Sequence, residues 1–288
     1  MNRLFKSEEG KAEIFELYDK KLNELQIQYE SKFVNTRFGA THVLITGDKN
    51  NPPLVIVHGS NGCAPIAIES YPHLSKKYCV YAVDVMAQPN KTAERFLSMK
   101  DNSYGLWLLD VLINLELKNV VLAGFSLGGL VILKTLLLDE SRVKEVFLAS
   151  PAFIVNGNPL AGLFKMFLPM KKFMKTKDMK YVEQFLGELF TNRDEFAVQY
   201  ISKILLHFNL DFTPVPTINK KDAASIKTPI HLFGANHDLI FPGEKMIKRA
   251  QKIFPSLTYS QLLENSKHVQ NRADNTIIEN HILSQLDA

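Results

Sequence analysis

Short apolar runs recur along the chain, and most of them end at a glycine, an aspartate or another small polar residue. They occupy residues 54–57, 80–83, 120–123, 146–149 and 230–233, and a more mixed run follows at 257–263. Four consecutive apolar residues without polar alternation are typical of strands that are buried on both faces. Between the runs, apolar residues recur at intervals of three and four, which is the spacing of a helix. This alternation predicts an α/β fold with a mostly parallel central sheet flanked by helices.

The first 50 residues add a helix and a hairpin to this pattern. Residues 8–27 carry apolar residues at helical spacing among lysines and glutamates, which predicts an amphipathic helix. Residues 33–47 predict two short strands that turn at Gly39, near an edge of the sheet. The run at 146–149 is therefore the sixth strand of the chain.

The alternation of strands and helices is interrupted once, after this sixth strand. Residues 152–224 are rich in Met and Phe, contain no clean strand pattern, and have helical patterns with an interruption at Pro169. We expect a core of residues 1–151 and 225–288 and an inserted helical cap, or lid, of residues 152–224. The apolar cap residues are expected mainly to pack onto the core, and its lysines to form a solvated face.

Composition excludes several classes of protein. Hydrophobic residues make up 46% of the 288 residues, which is typical of globular proteins, and a formal net charge of +4 is too small to indicate nucleic-acid binding. The two cysteines do not form a disulfide framework, so a cytoplasmic location is expected. No secretory leader and no apolar run of about 20 residues is recognisable, so contact with a membrane is not expected.

One serine lies at the junction of a predicted strand and a predicted helix. Residues 124–128 read Gly-Phe-Ser-Leu-Gly, which matches the G-x-S-x-G pattern of a serine on a tight strand-to-helix turn. Gly124 and Gly128 are expected to keep that turn free of clashes, and the helix N-terminus favours developing negative charge. The alternative is that Ser126 only caps the helix. Its position after a strand favours the nucleophile.

A serine hydroxyl needs a base, which is usually a histidine oriented by a carboxylate. His268 lies in a polar loop after the last predicted strand, where sheets of this kind carry their chemistry. Asp238 follows the strand at 230–233, and Asp84 is the alternative acid because it also ends a strand. The chain order Ser126, Asp238, His268 favours Asp238.

The oxyanion of the reaction needs two N–H donors. Leu127, directly after the serine, is one candidate, and the second is expected in the loop His58-Gly59-Ser60-Asn61-Gly62. Ser60 is the preferred donor in this loop, with Asn61 as the alternative. We expect no cofactor and no metal.

These residues together resemble the α/β-hydrolase fold superfamily, in its capped carboxylesterase-like branch. The resemblance rests on His58-Gly59, the turn at 124–129, Asp238 and His268, and it covers about residues 28–151 and 225–288. It implies a Ser-His-Asp hydrolase without a cofactor. Two departures concern the substrate class: Lys267 replaces a frequent glycine before the histidine, and the loop after the fourth strand lacks the Asp-Arg-x-Gly-x-Gly-x-Ser pattern of many relatives.

The function expected from the sequence is a serine esterase. It would hydrolyse a small or medium acyl ester through an acyl-enzyme, with a small-molecule substrate as its only expected partner. A peptidase, a thioesterase or a C–C hydrolase could use the same groups, and a non-catalytic ligand-binding relative is the remaining alternative. The sequence does not indicate the acyl chain length, the physiological substrate or the oligomeric state.

Overall fold

The computed structural model describes residues 3–286, and it places eight strands in one sheet. The strands are β1 (Glu30–Thr36), β2 (Gly39–Thr46), β3 (Pro53–Val57), β4 (Cys79–Val83), β5 (Val120–Phe125), β6 (Val143–Ala149), β7 (Ile230–Ala235) and β8 (Leu257–Leu263). Their order in the sheet is β1-β2-β4-β3-β5-β6-β7-β8. β2 pairs antiparallel with β1 and β4, and all pairs from β4 to β8 are parallel. The predicted fold class is confirmed.

Helices cover both faces of this sheet. Those of the core are α1 (Glu8–Glu24), α2 (Ala64–Ser70), α3 (Ser103–Asn114), α4 (Leu127–Leu136), α10 (Gly243–Ile253) and α11 (Arg272–Ser284). The helices predicted at 8–27 and 272–286 therefore end two or three residues earlier than expected. The central strands are buried on both faces, since Val55, Leu122 and Leu148 belong to one apolar cluster and Leu54, Val121 and Phe147 to another.

The topology locates a crevice at the carboxyl ends of β3 and β5. The chain leaves β3 for β4 on one side, and it leaves the adjacent β5 for β6 on the other side. Loops that diverge in this way open a crevice at the end of the sheet, where ligands of parallel sheets bind. The loop of residues 58–63 and the turn at Ser126 lie at this point.

Between β6 and β7 the chain is helical. It forms α5 (Pro159–Gly162), α6 (Leu168–Thr176), α7 (Lys180–Leu189), α8 (Glu195–His207) and α9 (Lys220–Ser225). The expected interruption at Pro169 was wrong, because the chain stays helical from 159 to 176. A π turn at residues 163–167 precedes Pro169, and the N–H of Leu168 donates to Leu163 O, five residues back. Pro169 then lies at the second residue of α6, directly after the π turn.

The N-terminal helix contacts both the sheet and the helices between β6 and β7, the segment expected to form the cap. Tyr18 and Ile14 of α1 belong to an apolar cluster that includes Leu44 of β2 and Ile204 of α8. The cap also has its own apolar cluster, formed by residues of α6, α7 and α8, such as Phe173. Within residues 3–286, no helix is both long enough and apolar enough to cross a membrane.

Candidate active site

The turn that carries Ser126 joins β5 directly to α4. Ser126 has φ 52° and ψ −115°, a conformation that L residues rarely adopt. A Cβ at Gly128 would overlap the carbonyl oxygen of Val57, and a Cβ at Gly124 would lie 2.6 Å from Ile132 Cδ1. Both predicted turn glycines are therefore required by close packing. The side chain of Ser126 makes no capping hydrogen bond, so Oγ is available for other contacts.

The structure brings Ser126, His268 and Asp238 together. His268 Nε2 lies 3.0 Å from Ser126 Oγ, and His268 Nδ1 lies 2.7 Å from Asp238 Oδ2. The other carboxylate oxygen, Oδ1, accepts the N–H groups of Ile240 (2.7 Å) and Phe241 (2.9 Å). These two bonds orient the carboxylate and leave Oδ2 for the imidazole. The arrangement fixes the tautomer in which Nδ1–H faces the acid and Nε2 accepts the serine hydroxyl.

The three groups are nearly excluded from solvent. Ser126 is 7% exposed, His268 5% and Asp238 4%. The rings of Phe125 and Phe241 flank the imidazole, with centroid distances of 5.1 and 5.5 Å. Low access of water strengthens the electrostatic contacts inside such a site.

Asp84, the alternative acid, lies in a different buried cluster. Its Oδ2 lies 2.8 Å from His42 Nδ1 and accepts the hydroxyl of Tyr18 at 3.0 Å, while its Oδ1 accepts the N–H of Ala64 at 2.7 Å. These bonds direct the carboxylate to β2, α1 and the start of α2. The structure therefore brings Asp238, and not Asp84, to the histidine that contacts Ser126.

The loop after β3 is oriented by a buried histidine. His58 Nε2 accepts the N–H of Val85 at 2.9 Å, so its proton is on Nδ1, which donates to Gly59 O at 2.7 Å. Burial lowers the pKa of His58, which favours this neutral form. Because a peptide unit is planar and trans, fixing the Gly59 carbonyl turns the N–H of Ser60 in the opposite direction, away from His58.

The two candidate donors of this loop differ in their contacts. The N–H of Asn61 donates to Gln88 Oε1 at 2.8 Å, so it is engaged. For the N–H groups of Ser60 and Leu127, no acceptor is present within residues 3–286. Ser60 therefore remains the better candidate beside Leu127, whose N–H opens α4 and has no intrahelical partner.

Sequence reasoning missed two glutamines that hold the site. Gln88 lies in the loop after β4, and its Oε1 accepts the N–H of Asn61 in the loop that carries Ser60. Gln270 Nε2 donates to the carbonyl of His268 and to Ser150 Oγ, both at 2.9 Å. The signal for Gln88 was its place in the loop that departs from the family pattern, whereas nothing in the sequence singled out Gln270.

No metal site accompanies these residues. Among residues 3–286, no group of three or more His, Cys, Asp or Glu side chains could hold a metal ion.

Known proteins share both the sequence pattern and the architecture. The model of the α/β hydrolase fold family matches residues 52–199. The chain is 26% identical to the uncharacterized carboxylesterase nap of Bacillus subtilis (strain 168), over 95% of this chain and 92% of that protein. It is 23% identical to carboxylesterase YbfK of the same organism, over 98% and 96% of the two chains.

Solved structures agree with this fold. The crystal structure of naproxen esterase (carboxylesterase NP) from Bacillus subtilis superposes with a TM-score of 0.84 at 23% identity, covering 98% of this chain and 99% of that one. Carboxylesterase CesB (YbfK) from Bacillus subtilis superposes with a TM-score of 0.81 at 22% identity, covering 96% and 98%. With the family model spanning half of the chain and a sheet that carries a serine turn after β5, this protein belongs to the α/β-hydrolase fold family.

Proposed function

We propose that this protein is a serine hydrolase of carboxylic esters, with Ser126 as nucleophile, His268 as general base and Asp238 as the acid that orients it. The observation that carries the proposal is the continuous contact from Ser126 Oγ to His268 Nε2 (3.0 Å) and from His268 Nδ1 to Asp238 Oδ2 (2.7 Å). The similarity to two carboxylesterases over nearly the whole chain supports the choice of an ester substrate.

The mechanism follows from these contacts. Ser126 Oγ attacks the ester carbonyl carbon while His268 takes its proton, and the N–H groups of Ser60 and Leu127 bind the oxyanion. The imidazolium, stabilised by Asp238, then protonates the alcohol oxygen as the C–O bond breaks. Water, deprotonated by His268, attacks the acyl-enzyme, and the proton returns to Ser126 as the carboxylic acid leaves.

The cap argues against a peptidase that binds a substrate amine through carboxylates. Four acidic residues of the cap would be candidates for that contact: Glu183, Glu188, Asp194 and Glu195. Glu183 and Glu195 pair with Arg193, Glu188 pairs with Lys165, and Asp194 caps α8 through the N–H of Ala197. Since each of these carboxylates already has a partner, we propose an ester and not an aminopeptide as the substrate.

The substrate is proposed to be a small-molecule ester with a small or medium acyl group. Residues 152–224, the proposed cap, would set the acyl chain length, because residues 189–191 of this segment lie against the loop of His268. Nucleic acid and membrane are not proposed as partners. Two free, buried cysteines, Cys63 and Cys79, support a reducing, cytoplasmic location.

The chain offers a matched control for a test of the nucleophile. Ser31 Oγ lies 2.8 Å from His42 Nε2, and His42 Nδ1 lies 2.8 Å from Asp84 Oδ2, so the same three residue types are linked by the same atoms. Ser31 lies within β1 and not at a strand-to-helix turn, so no helix starts directly after it. It therefore lacks the N–H donors of a helix N-terminus that would stabilise a developing oxyanion.

The test combines a fluorophosphonate probe with p-nitrophenyl esters of increasing chain length. We expect the probe to be found on Ser126 by peptide mass spectrometry, and Ser126→Ala to lose labelling and at least about 10³-fold in kcat. Ser31→Ala should keep both. Esterase activity that survives in Ser126→Ala, or a label on Ser31, would contradict the proposal. Activity restricted to thioesters would redirect it to a thioesterase.

A further inference from the structure

The loop that carries His268 is attached to the cap as well as to the core. At the end of α7, residues 189–191 run parallel to the chain around Val269. The N–H of Val269 donates to Leu189 O at 2.9 Å, and the N–H of Thr191 donates to Val269 O at 3.0 Å. Phe190 and Val269 form an isolated bridge, so a short two-stranded contact joins the cap to the loop beside His268.

A single hydroxyl binds the backbone on both sides of His268. Thr191 Oγ1 accepts the N–H of Lys267 at 3.0 Å and donates to the carbonyl of Val269 at 2.8 Å. The side chain of Lys267 reaches in the same direction, and its ammonium donates to Gly187 O near the end of α7. Lys267, the residue that departs from the family pattern, is therefore part of this attachment.

The core holds the same loop at different points. His237, next to Asp238, donates its N–H to Ser266 O at 2.9 Å, and Gln270, two residues after His268, donates to Ser150 Oγ at the end of β6 at 2.9 Å. These contacts lie before and after the imidazole, while those of Thr191 reach the two residues that directly flank it. Contacts from both the core and the proposed cap therefore orient the side chain of His268.

We propose that Thr191 is a positioning residue that sets the orientation of His268, and that the cap position is coupled to the base through it. The proposal rests on the proposed function, because it assigns Thr191 a role only if His268 acts on Ser126. A displacement of the end of α7 would move Lys267 and Val269 together, and a misplacement of about 1 Å at a reacting group can cost 10²-fold in rate.

Substitutions at Thr191 separate this role from a general effect on the cap. Thr191→Val keeps the shape and removes the bonds of the hydroxyl to Lys267 and Val269, together with its longer contact to Ser266 Oγ (3.4 Å). Thr191→Ala removes them with less bulk, and Thr191→Ser restores the hydroxyl. Thr176→Val is the matched control, since the Thr176 hydroxyl also bonds a cap carbonyl, that of Lys172, but lies on the exposed end of α6. Thermal unfolding checks that each variant is folded.

The readouts are kcat and KM for p-nitrophenyl acetate and the labelling rate with a small fluorophosphonate. We expect Thr191→Val and Thr191→Ala to lose about 10- to 100-fold in kcat and in labelling rate, with KM close to the wild-type value. Thr191→Ser and Thr176→Val should remain near wild type. The small probe makes few contacts with the cap, so damage to an acyl pocket alone would raise KM for long esters and leave labelling unchanged.

The outcomes are distinguishable from those of the proposed function. A wild-type protein that is not labelled at Ser126 overturns the function and this inference with it. A labelled wild type with Thr191→Val and Thr191→Ala at wild-type rates overturns the positioning role alone. Equal losses in Thr191→Ser and Thr191→Val would also overturn it, because the hydroxyl would then not be the group that acts.

Discussion

At the scale of single residues, the turn at Ser126 is the most sterically constrained part of the site. A serine at positive φ is strained, and this strain is tolerated because β5 and α4 fix the residues on either side. The turn packs so closely onto the end of β3 that Gly128 touches the carbonyl of Val57, the residue before His58. Ser126 and the loop of the proposed oxyanion site are therefore held against each other by backbone contact.

Gly128→Ala tests this contact. The added methyl group would meet backbone atoms, which cannot rotate away, so we expect the free energy of unfolding to fall by about 1–3 kcal/mol or more. Gly187→Ala is the control: its Cβ would meet nothing within 4 Å on an exposed part of α7, and it should stabilise the protein by about 0.5–1 kcal/mol. Urea unfolding measures both values. A Gly128→Ala protein as stable as wild type would contradict the close packing.

At the scale of elements, the strands were predictable because burial on both faces leaves a direct trace in the sequence. The apolar runs locate β3 to β7 to within about three residues, and the residues that end them include Ser126. The roles of Gln88 and Thr191 were not predictable. Their contacts join segments that are 27 and 76 residues apart, and only the packing of loops and cap brings them together. The π turn before Pro169 was also not predictable, because the spacing of apolar residues does not distinguish a π turn from the end of a helix.

A pair of histidines links β7 to α11, and one of them, His281, has a lowered pKa. His231 Nδ1 lies 2.8 Å from His281 Nε2, and the ring of His281 stacks on Tyr259 with centroids 3.9 Å apart. Burial and the neighbouring His231 lower the pKa of His281, whereas in the unfolded chain it is about 6.5. The unfolded state therefore binds more protons below this pH. The free energy of unfolding should fall as the pH drops through about 6.5.

His281→Phe isolates this contribution, because it keeps an aromatic ring on Tyr259 and removes the titrating group. His58, whose pKa is also lowered by burial, remains and contributes in the same direction. Chemical unfolding at a series of pH values from 8 to 5 should thus give a shallower, but not flat, loss of stability in the variant. An unchanged slope would show that His281 binds its proton equally in both states.

At the scale of the whole molecule, the cap is fastened to the core at several separate places. Residues 189–191 pair with the loop of His268, the hydroxyl of Tyr200 in α8 donates to Pro89 O at 2.9 Å, and α1 packs on α8. Phe5 and Phe208 form a further bridge between the N-terminal segment and the end of α8. The N-terminal helix thus acts as a support for the cap, although it belongs to a different part of the sequence.

Ile14→Ala tests how much this support contributes. Ile14 is fully buried in the cluster that α1 shares with Tyr200 and Ile204 of the cap, and truncating such a side chain should cost about 2–5 kcal/mol. Ile277→Ala is the matched control, because Ile277 is 40% exposed on α11 and alanine favours a helix. If α1 supports the cap, limited proteolysis of Ile14→Ala under native conditions should cleave within residues 152–224 sooner than in wild type or in Ile277→Ala. In the proposed cap, α8 packs on α1 and the end of α7 binds the loop of His268. The same variant should therefore also slow labelling of Ser126 by the fluorophosphonate probe. Faster cleavage with unchanged labelling would show that the two attachments act independently.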